Sequence, residues 1–588
     1  MINSNAKLKV HFPCRQRKQQ GAALMVLLVI MVMGAVTFLV NSLSRAGPGI
    51  GRAKTTSDAL AQAKGALIAY ALADQNRPGE LPCPDIDNDG QLTMNVDYIG
   101  SQCAAMLGRL PWKTLGLPDL RDGAGERLWY ALSDPFHANS TAVLNSDTAG
   151  AITVRNSAGN ILNNGCAAYG LPDCPDPGAL DAAFGTGAVA VIIAPGDSLA
   201  RQDNVRQTRG CAVGIDCDGA GKCTSATPAA TPRCNPVNYL DIATVGGHTE
   251  DNANFSGGSS SNGLIQGAIK THNPATKTHD LILNDQLMPI THDNLFAPVE
   301  KVVGKRAANM LNAHLSGYWG TSFYPFAAAF TDPSASLYAP SFGINHGLLP
   351  STAVWAGIPA YALTGGSASV ACSLRNGNNA QANARARCDI SGVSGAPAIT
   401  ISGALNYLGL WRKHDLARSN EVQVRYSGSN VSAAAVPGMN AAIVYTVNAD
   451  SSVTLTFSGK IVSGVTRIEL RDVVVDAAHD WFTGNKWQQV MHYAVAPGYA
   501  PGGGNACNPL PGTPPCLTLN GNGGGDDKRA VLVMAGRALA GQRRPPSPSP
   551  PITLDDYLEG ANKTPANFIY ENQGRASHFN DQVMVVAP

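Results

Sequence analysis

Ser57-Asp-Ala-Leu-Ala-Gln-Ala-Lys-Gly-Ala-Leu-Ile-Ala-Tyr-Ala-Leu-Ala73 places Leu60, Ala63, Leu67 and Ala71 at intervals of three and four. That spacing gathers apolar side chains on one face of an α-helix. A second stretch, Val302 to Tyr318 (VVGKRAANMLNAHLSGY), repeats the pattern through Val303, Ala307, Met310, Leu311 and Leu315. Each helix runs into a loop with Pro or aromatic signals, Arg77-Pro-Gly-Glu-Leu-Pro82 and Thr321-Ser-Phe-Tyr-Pro325.

The features behind each helix agree in order as well. Gly108-Arg-Leu-Pro111 has a counterpart in Gly347-Leu-Leu-Pro350, and Leu128-Trp-Tyr-Ala-Leu132 in Val490-Met-His-Tyr-Ala-Val495. Ala188-Val-Ala-Val-Ile-Ile-Ala194 parallels Arg529-Ala-Val-Leu-Val-Met-Ala535, and Asn238-Tyr-Leu-Asp241 parallels Asp556-Tyr-Leu-Glu559. Asn284-Asp-Gln-Leu-Met288 parallels Asn580-Asp-Gln-Val-Met584. The shared order predicts two tandem units, 57–295 and 296–588, each a helix on a small antiparallel sheet. The second unit carries an insert, 361–480, whose alternating runs Glu421-Val-Gln-Val-Arg-Tyr426 and Ser452-Val-Thr-Leu-Thr-Phe457 predict a β-domain.

Composition agrees with a loop-rich, strand-forming body: the 588 residues include 62 Gly and 38 Pro, and 14% are charged. The formal charge of +1, from 43 basic and 42 acidic residues, supplies no field that would attract nucleic acid.

The first fifty residues differ from the rest. Lys7, Lys9, Arg15, Arg17 and Lys18 precede Ala22 to Val40, a run without a charge. As a helix that run reaches about 30 Å, the thickness of a hydrocarbon core. The basic cluster predicts a cytoplasmic N-terminus, with the chain beyond about Asn41 outside. A cleaved secretory signal has a shorter apolar core and a small-residue cleavage site, which Asn41 to Ala46 does not supply; a plain uncleaved anchor is the other reading.

The join Arg15-Gln-Arg-Lys-Gln-Gln-Gly21, followed by Ala22-Ala-Leu-Met-Val26, resembles the type IV prepilin signature. That resemblance implies a basic leader over 1–21 cut after Gly21 by a prepilin peptidase, with Ala22 as a methylated new N-terminus. Taken with the residue patterns above it gives an α+β fold: an N-terminal transmembrane helix at 22–46, a Gly/Pro break at 47–56, and a duplicated helix-plus-antiparallel-sheet ectodomain, pilin-like by the resemblance, with a β-rich insert. Val26 stands where major pilins carry Glu, which makes the segment similar to minor, tip-associated members such as the K-type pseudopilin of type II secretion and PilX-like minor pilins.

The function so implied is that of a minor pilin or pseudopilin-like structural subunit, not an enzyme, acting in filament initiation or at the tip. The implied partners are the membrane, the prepilin peptidase and other pilin or pseudopilin subunits packed through the N-terminal helix, with no nucleic acid. The implied place is the inner membrane, single-pass, with a cytoplasmic N-terminus and a body that is periplasmic, or extracellular after assembly. The alternative is a filament-borne or membrane-anchored adhesin or ligand-binding protein whose binding part is the insert. An exposed apolar or aromatic patch there would favour it.

Cys14 lies in the leader, and twelve further cysteines follow the apolar run, an even number that suits disulfides in an oxidising compartment. Spacing favours Cys83 with Cys103, Cys166 with Cys174, Cys372 with Cys388 and Cys507 with Cys516; Cys211, Cys217, Cys223 and Cys234 allow three arrangements. Zinc is disfavoured in that last cluster, which lacks Cys-x2-Cys pairs.

Asp85-Ile-Asp-Asn-Asp-Gly90 is the sharpest chemical motif. Carboxylates at alternate positions before a glycine suit Ca²⁺, a hard cation that takes six to eight oxygens from a tight loop. Asp85, Asp87 and Asp89 are the expected side-chain ligands and the Gln91 carbonyl a further one; Val96 occupies the position of the closing Glu, with Asp97 beside it. The expected role is structural, with no organic cofactor. An Asx-rich turn without metal is the competing reading. His272, His279 and His292 fit no standard ligand spacing, and no His-Glu-x-x-His, Gly-x-Ser-x-Gly or Walker-type loop occurs.

Overall fold

The computed structural model describes residues 49–587 except 139, 141, 166–186, 210–232, 258–262, 274–276, 319–323, 331–337, 339–340, 342, 351–354, 356, 376–384, 406–421, 448–452, 472–479, 508–513, 540, 543 and 545–552.

Helix α1, residues 49–73, buries Ala59, Leu60, Ala63, Leu67 and Ala71 along one stripe. Behind it, β1 (Leu107–Arg109), β2 (Trp129–Leu132), β3 (Ala188–Ala194) and β4 (Gln286–Thr291) form a sheet in the order β4-β3-β2-β1, antiparallel throughout. Helix α2 (His292–Tyr318) leaves β4 directly. A second antiparallel sheet follows from β5 (His346–Leu348), β6 (Met491–Val495), β7 (Ala530–Met534) and β8 (Gln582–Ala587), in the order β5-β6-β7-β8. In both, consecutive strands are neighbours. The inner strands β2, β3, β6 and β7 are buried along their whole length, which is why they read as continuous apolar runs without alternation.

The repetition extends to smaller elements. In the first unit Leu264–Ile265 pairs parallel with Val154–Arg155, which pairs antiparallel with Ile161–Asn163. In the second, Ile569–Asn572 pairs parallel with Leu517–Gly521, which pairs antiparallel with Gly525–Lys528. These strands fall between the second and third and between the third and fourth core strands of both units, so one topology is built twice. A continuous apolar core joins the copies, with Phe136 edge-on to Phe296 at 6.1 Å.

Between β5 and β6 the second unit carries the insert as two antiparallel sheets. One has the order Ala360–Thr364, Ala398–Leu405, Val453–Lys460, Ala442–Val447. The other has the order Ser367–Arg375, Arg385–Ser394, Val465–Arg471, Val422–Tyr426, Ser429–Ser432. Ile399, Ile401, Leu455 and Phe457 of the first join Cys388, Val424, Ile468 and Leu470 of the second in the core, the pattern of a β-sandwich.

Several expectations are corrected here. Strand outweighs helix, 37% against 19%, and the described residues hold three α-helices, α1, α2 and α3 (Asp480–Gly484), so the fold is mostly β and not the α+β expected. The reason is that the turn-rich connections fold into small sheets and the insert adds nine strands. Among the described residues no helix is long and apolar enough to cross a membrane. Helix α2 has 27 residues but carries Asp293, Glu300, Lys301, Lys305 and Arg306, charges that bar it from hydrocarbon. The expected span, 22–46, lies outside the described residues, as do Gly21 and Ala22. A single-pass inner-membrane placement with a cytoplasmic N-terminus, and the membrane-spanning prepilin helix that goes with it, are therefore unsupported and are set aside. Helix α1 also runs through 49–56, most of the expected Gly/Pro break; Gly49 and Gly51 stand in open space there.

Candidate functional site

The Asp85–Gly90 loop is fastened at both ends. Cys83 is bonded to Cys103, and Asp85 exchanges backbone hydrogen bonds with Arg109 of β1 at 2.9 and 2.6 Å. Within the loop the carboxylates fold the chain around themselves. Asn88 donates its backbone N–H to Asp85 Oδ1 and Gly90 to Asp85 Oδ2, both at 2.7 Å. Asp97 Oδ1 and Oδ2 accept from the amides of Ile86 and Thr93 at 2.8 and 2.7 Å. Gly90 has φ +84°, and a Cβ there would stand 2.4 Å from the Trp112 ring, so both conformation and space require glycine.

Asp85, Asp87 and Asp97 are buried, and the ligand oxygens of Asp85, Asp87 and Asp89 lie within 4.8 Å of one another. Oxygens on opposite sides of a calcium ion stand roughly 5 Å apart, twice the 2.3–2.6 Å metal–oxygen distance, so the three acids fit one ion. Burial, followed by the charges of Asp97 and Asp87, pushes the Asp85 carboxyl up to about 8. Asp97 is also raised, chiefly by burial. A divalent cation would relieve this crowding of like charge. Gln91 is exposed and its amide donates to Asp89 Oδ1 at 2.7 Å; the acid that closes the loop from the other side is Asp97.

The other sequence candidates separate in space. His272 and His279 face each other across the hairpin Ile269–Asn273/Thr278–Leu283, with rings 5.2 Å apart and exposed. His292 is buried elsewhere, its Nε2 2.9 Å from the Ser146 carbonyl. The bridges Cys83–Cys103, Cys372–Cys388 and Cys507–Cys516 are formed, and Cys234 is disulfide-bonded too. Cys166, Cys174, Cys211, Cys217 and Cys223 lie outside the described residues.

The insert has two unlike outer faces. On the four-stranded sheet, Ala362, Thr400, Ser458 and Ala442 lie in one row and Ala360, Ser402, Thr456 and Val444 in the next, small and uncharged. Val444 of this face is 55% exposed; Tyr361, opposite buried Ile401 in the inner row, is 45% exposed at the sheet edge, and nearby Ile358 63%. The five-stranded sheet instead presents Arg387 and Arg467, both paired to Asp389. The sequence marked the insert but not this asymmetry, which depends on register.

Two buried acid pairs were visible in the sequence only as repeat signals: Asp241 with Asp285, and Glu559 with Asp581. Their partners are distant in sequence and carry no motif. No protein-family model matches the chain, and no curated protein or solved structure matches it.

Proposed function

We propose that the chain is a structural subunit of the minor-pilin or pseudopilin kind, which works through assembly and recognition in the initiation or at the tip of a type IV or type II secretion filament. The observation that carries this reading is the double construction: one helix-on-sheet unit built twice, with the second copy opened between β5 and β6 to carry a separate sandwich. Such a scaffold holds a recognition domain on a rigid base. The disulfides brace it, and calcium at Asp85, Asp87 and Asp89 would fix the loop beside β1. The partners are other filament subunits.

A second reading, a ligand-binding protein or adhesin, is favoured by the exposure of Tyr361, Val444 and Ile358 on or beside the insert. Cross-linking in cells followed by mass spectrometry separates the two. The first reading expects cross-links from both units to filament subunits. Cross-links confined to 360–471 and to a ligand outside the filament would favour the second, and the absence of both would overturn the pair.

A further inference from the structure

The two units share more than strands: each closes on a buried pair of carboxyl groups set in the same hydrogen-bond network. In the first, the backbone N–H of Asp241 donates to Asp285 Oδ2 at 2.9 Å, and the Asn284 N–H donates to Asp241 Oδ2 at 2.8 Å. In the second, the Glu559 N–H donates to Asp581 Oδ2 at 2.9 Å, and the Asn580 N–H to Glu559 Oε2 at 3.0 Å. The side amides match. Asn252 and Asn562 donate to Asp285 and Asp581 at 2.8 and 3.0 Å, and Gln207 and Gln542 to Asp241 and Glu559 at 2.8 and 2.7 Å. Arg209 and Arg544 each bind a tyrosine carbonyl, of Tyr239 and Tyr557, at 3.1 Å.

Each pair fastens the segment before the fourth core strand to the loop after the third. Asp241, Asp285 and Asp581 are at most 1% exposed and Glu559 is 7% exposed. The charged groups facing them are few. Arg209 and Arg201 lower the Asp241 pKa and Arg209 that of Asp285, while the second pair faces mainly the neutral amides of Asn562 and Gln542. Two negative charges in such a space repel at low dielectric, and one proton between them removes the repulsion.

We propose that each unit is latched by one proton carried on its buried carboxyl pair, Asp241 with Asp285 and Glu559 with Asp581, so that this latch is closed in acid and loosens the last strands as pH rises. The direction follows from linkage. Burial raises Asp241 to about 6, and burial followed by the charge of the partner acid raises Asp285 and Asp581. A raised carboxyl binds its proton more tightly folded than unfolded, so the stabilisation is complete below the free carboxyl value of about 4 and is lost as pH rises through the folded values.

The test is thermal unfolding of the full chain across pH, with Asp285→Asn and Asp581→Asn singly and together. An amide imitates the protonated acid, so the fall in melting temperature between about pH 5 and about pH 9 should shrink by at least roughly half in the double variant. A profile parallel to that of the wild type would overturn the proposal. Asp241→Asn with Glu559→Gln neutralises the opposite members and serves if the first variants do not fold. Infrared spectra of the unmodified protein at neutral pH give an independent reading: a protonated-carboxyl carbonyl band is expected, and its absence would overturn the latch.

Discussion

His492 lies with its ring 5.5 Å from that of Tyr557, in the place where the first unit sets Trp129 5.6 Å from Tyr239. Trp129 and His492 occupy equivalent strands, β2 and β6, opposite Ile193 and Val533. The histidine is buried, and neither ring nitrogen has a hydrogen-bond partner among the described residues. Burial, aided by the charge of Arg544, pushes it down to about 3.

His492→Phe should therefore stabilise the protein by about 1–3 kcal/mol at neutral pH, since it removes an unsatisfied buried polar group. The pH effect has a definite sign. A histidine lowered by folding costs stability as pH falls from about 6.5, where the unfolded chain takes up the proton, towards the folded value. The variant should lack that loss in denaturant unfolding between those limits.

Glu300 is the anomaly of α2. The buried stripe Val299, Glu300, Val303, Ala307, Leu311 has the spacing of Ala59, Leu60, Ala63, Leu67, Ala71 in α1, so a carboxyl stands where the first unit has leucine. Glu300 is fully buried and is held by Arg575 and by Gln582 at 3.0 Å. Burial already raises Glu300 to about 7, so Arg575→Ala should leave it protonated and cost about 1–3 kcal/mol through the lost hydrogen bonds, whereas Glu300→Leu with Arg575→Leu should recover most of it. Unfolding of the single and double variants checks this; equal losses in both would contradict it.

Calcium binding at the Asp85 loop should expel a proton, because Asp85 holds one up to about 8 when its neighbours are not neutralised. Titration calorimetry at about pH 7 in buffers of different ionisation enthalpy reads this directly. A buffer-dependent heat and a raised melting temperature are expected at up to roughly millimolar calcium, with both lost in Asp87→Asn.

The Cys372–Cys388 bridge joins directly opposed residues of neighbouring strands and closes 16 residues. Replacing both with alanine should cost about 3 kcal/mol on the chain-entropy estimate. The loss should be local: limited proteolysis is expected to cut the insert before either helix-on-sheet unit.

Much of the repeat was legible because equivalent strands must bury equivalent residues. Gly108-Arg-Leu-Pro111 and Gly347-Leu-Leu-Pro350 fall on β1 and β5, and Asn284-Asp-Gln and Asn580-Asp-Gln lead into β4 and β8. The acid network behind those motifs was not legible, since Asn252 and Gln207 enter it only through the folded chain. The balance of helix and strand was misjudged because two- and three-residue strands such as Val154–Arg155 are too short to show a period of two. The Asp85 loop was legible because all three acids lie within five residues, but the position of Asp97, set by amides eleven and four residues before it, was not.

The most direct test of the central claim is electron microscopy of surface filaments in cells lacking the chain, restored either with the full sequence or with one deleted for 360–471. The account predicts that filaments are lost without the chain, return with the full sequence, and return with the deleted form while surface attachment does not. Normal filament number and normal attachment in cells lacking the chain altogether would contradict it.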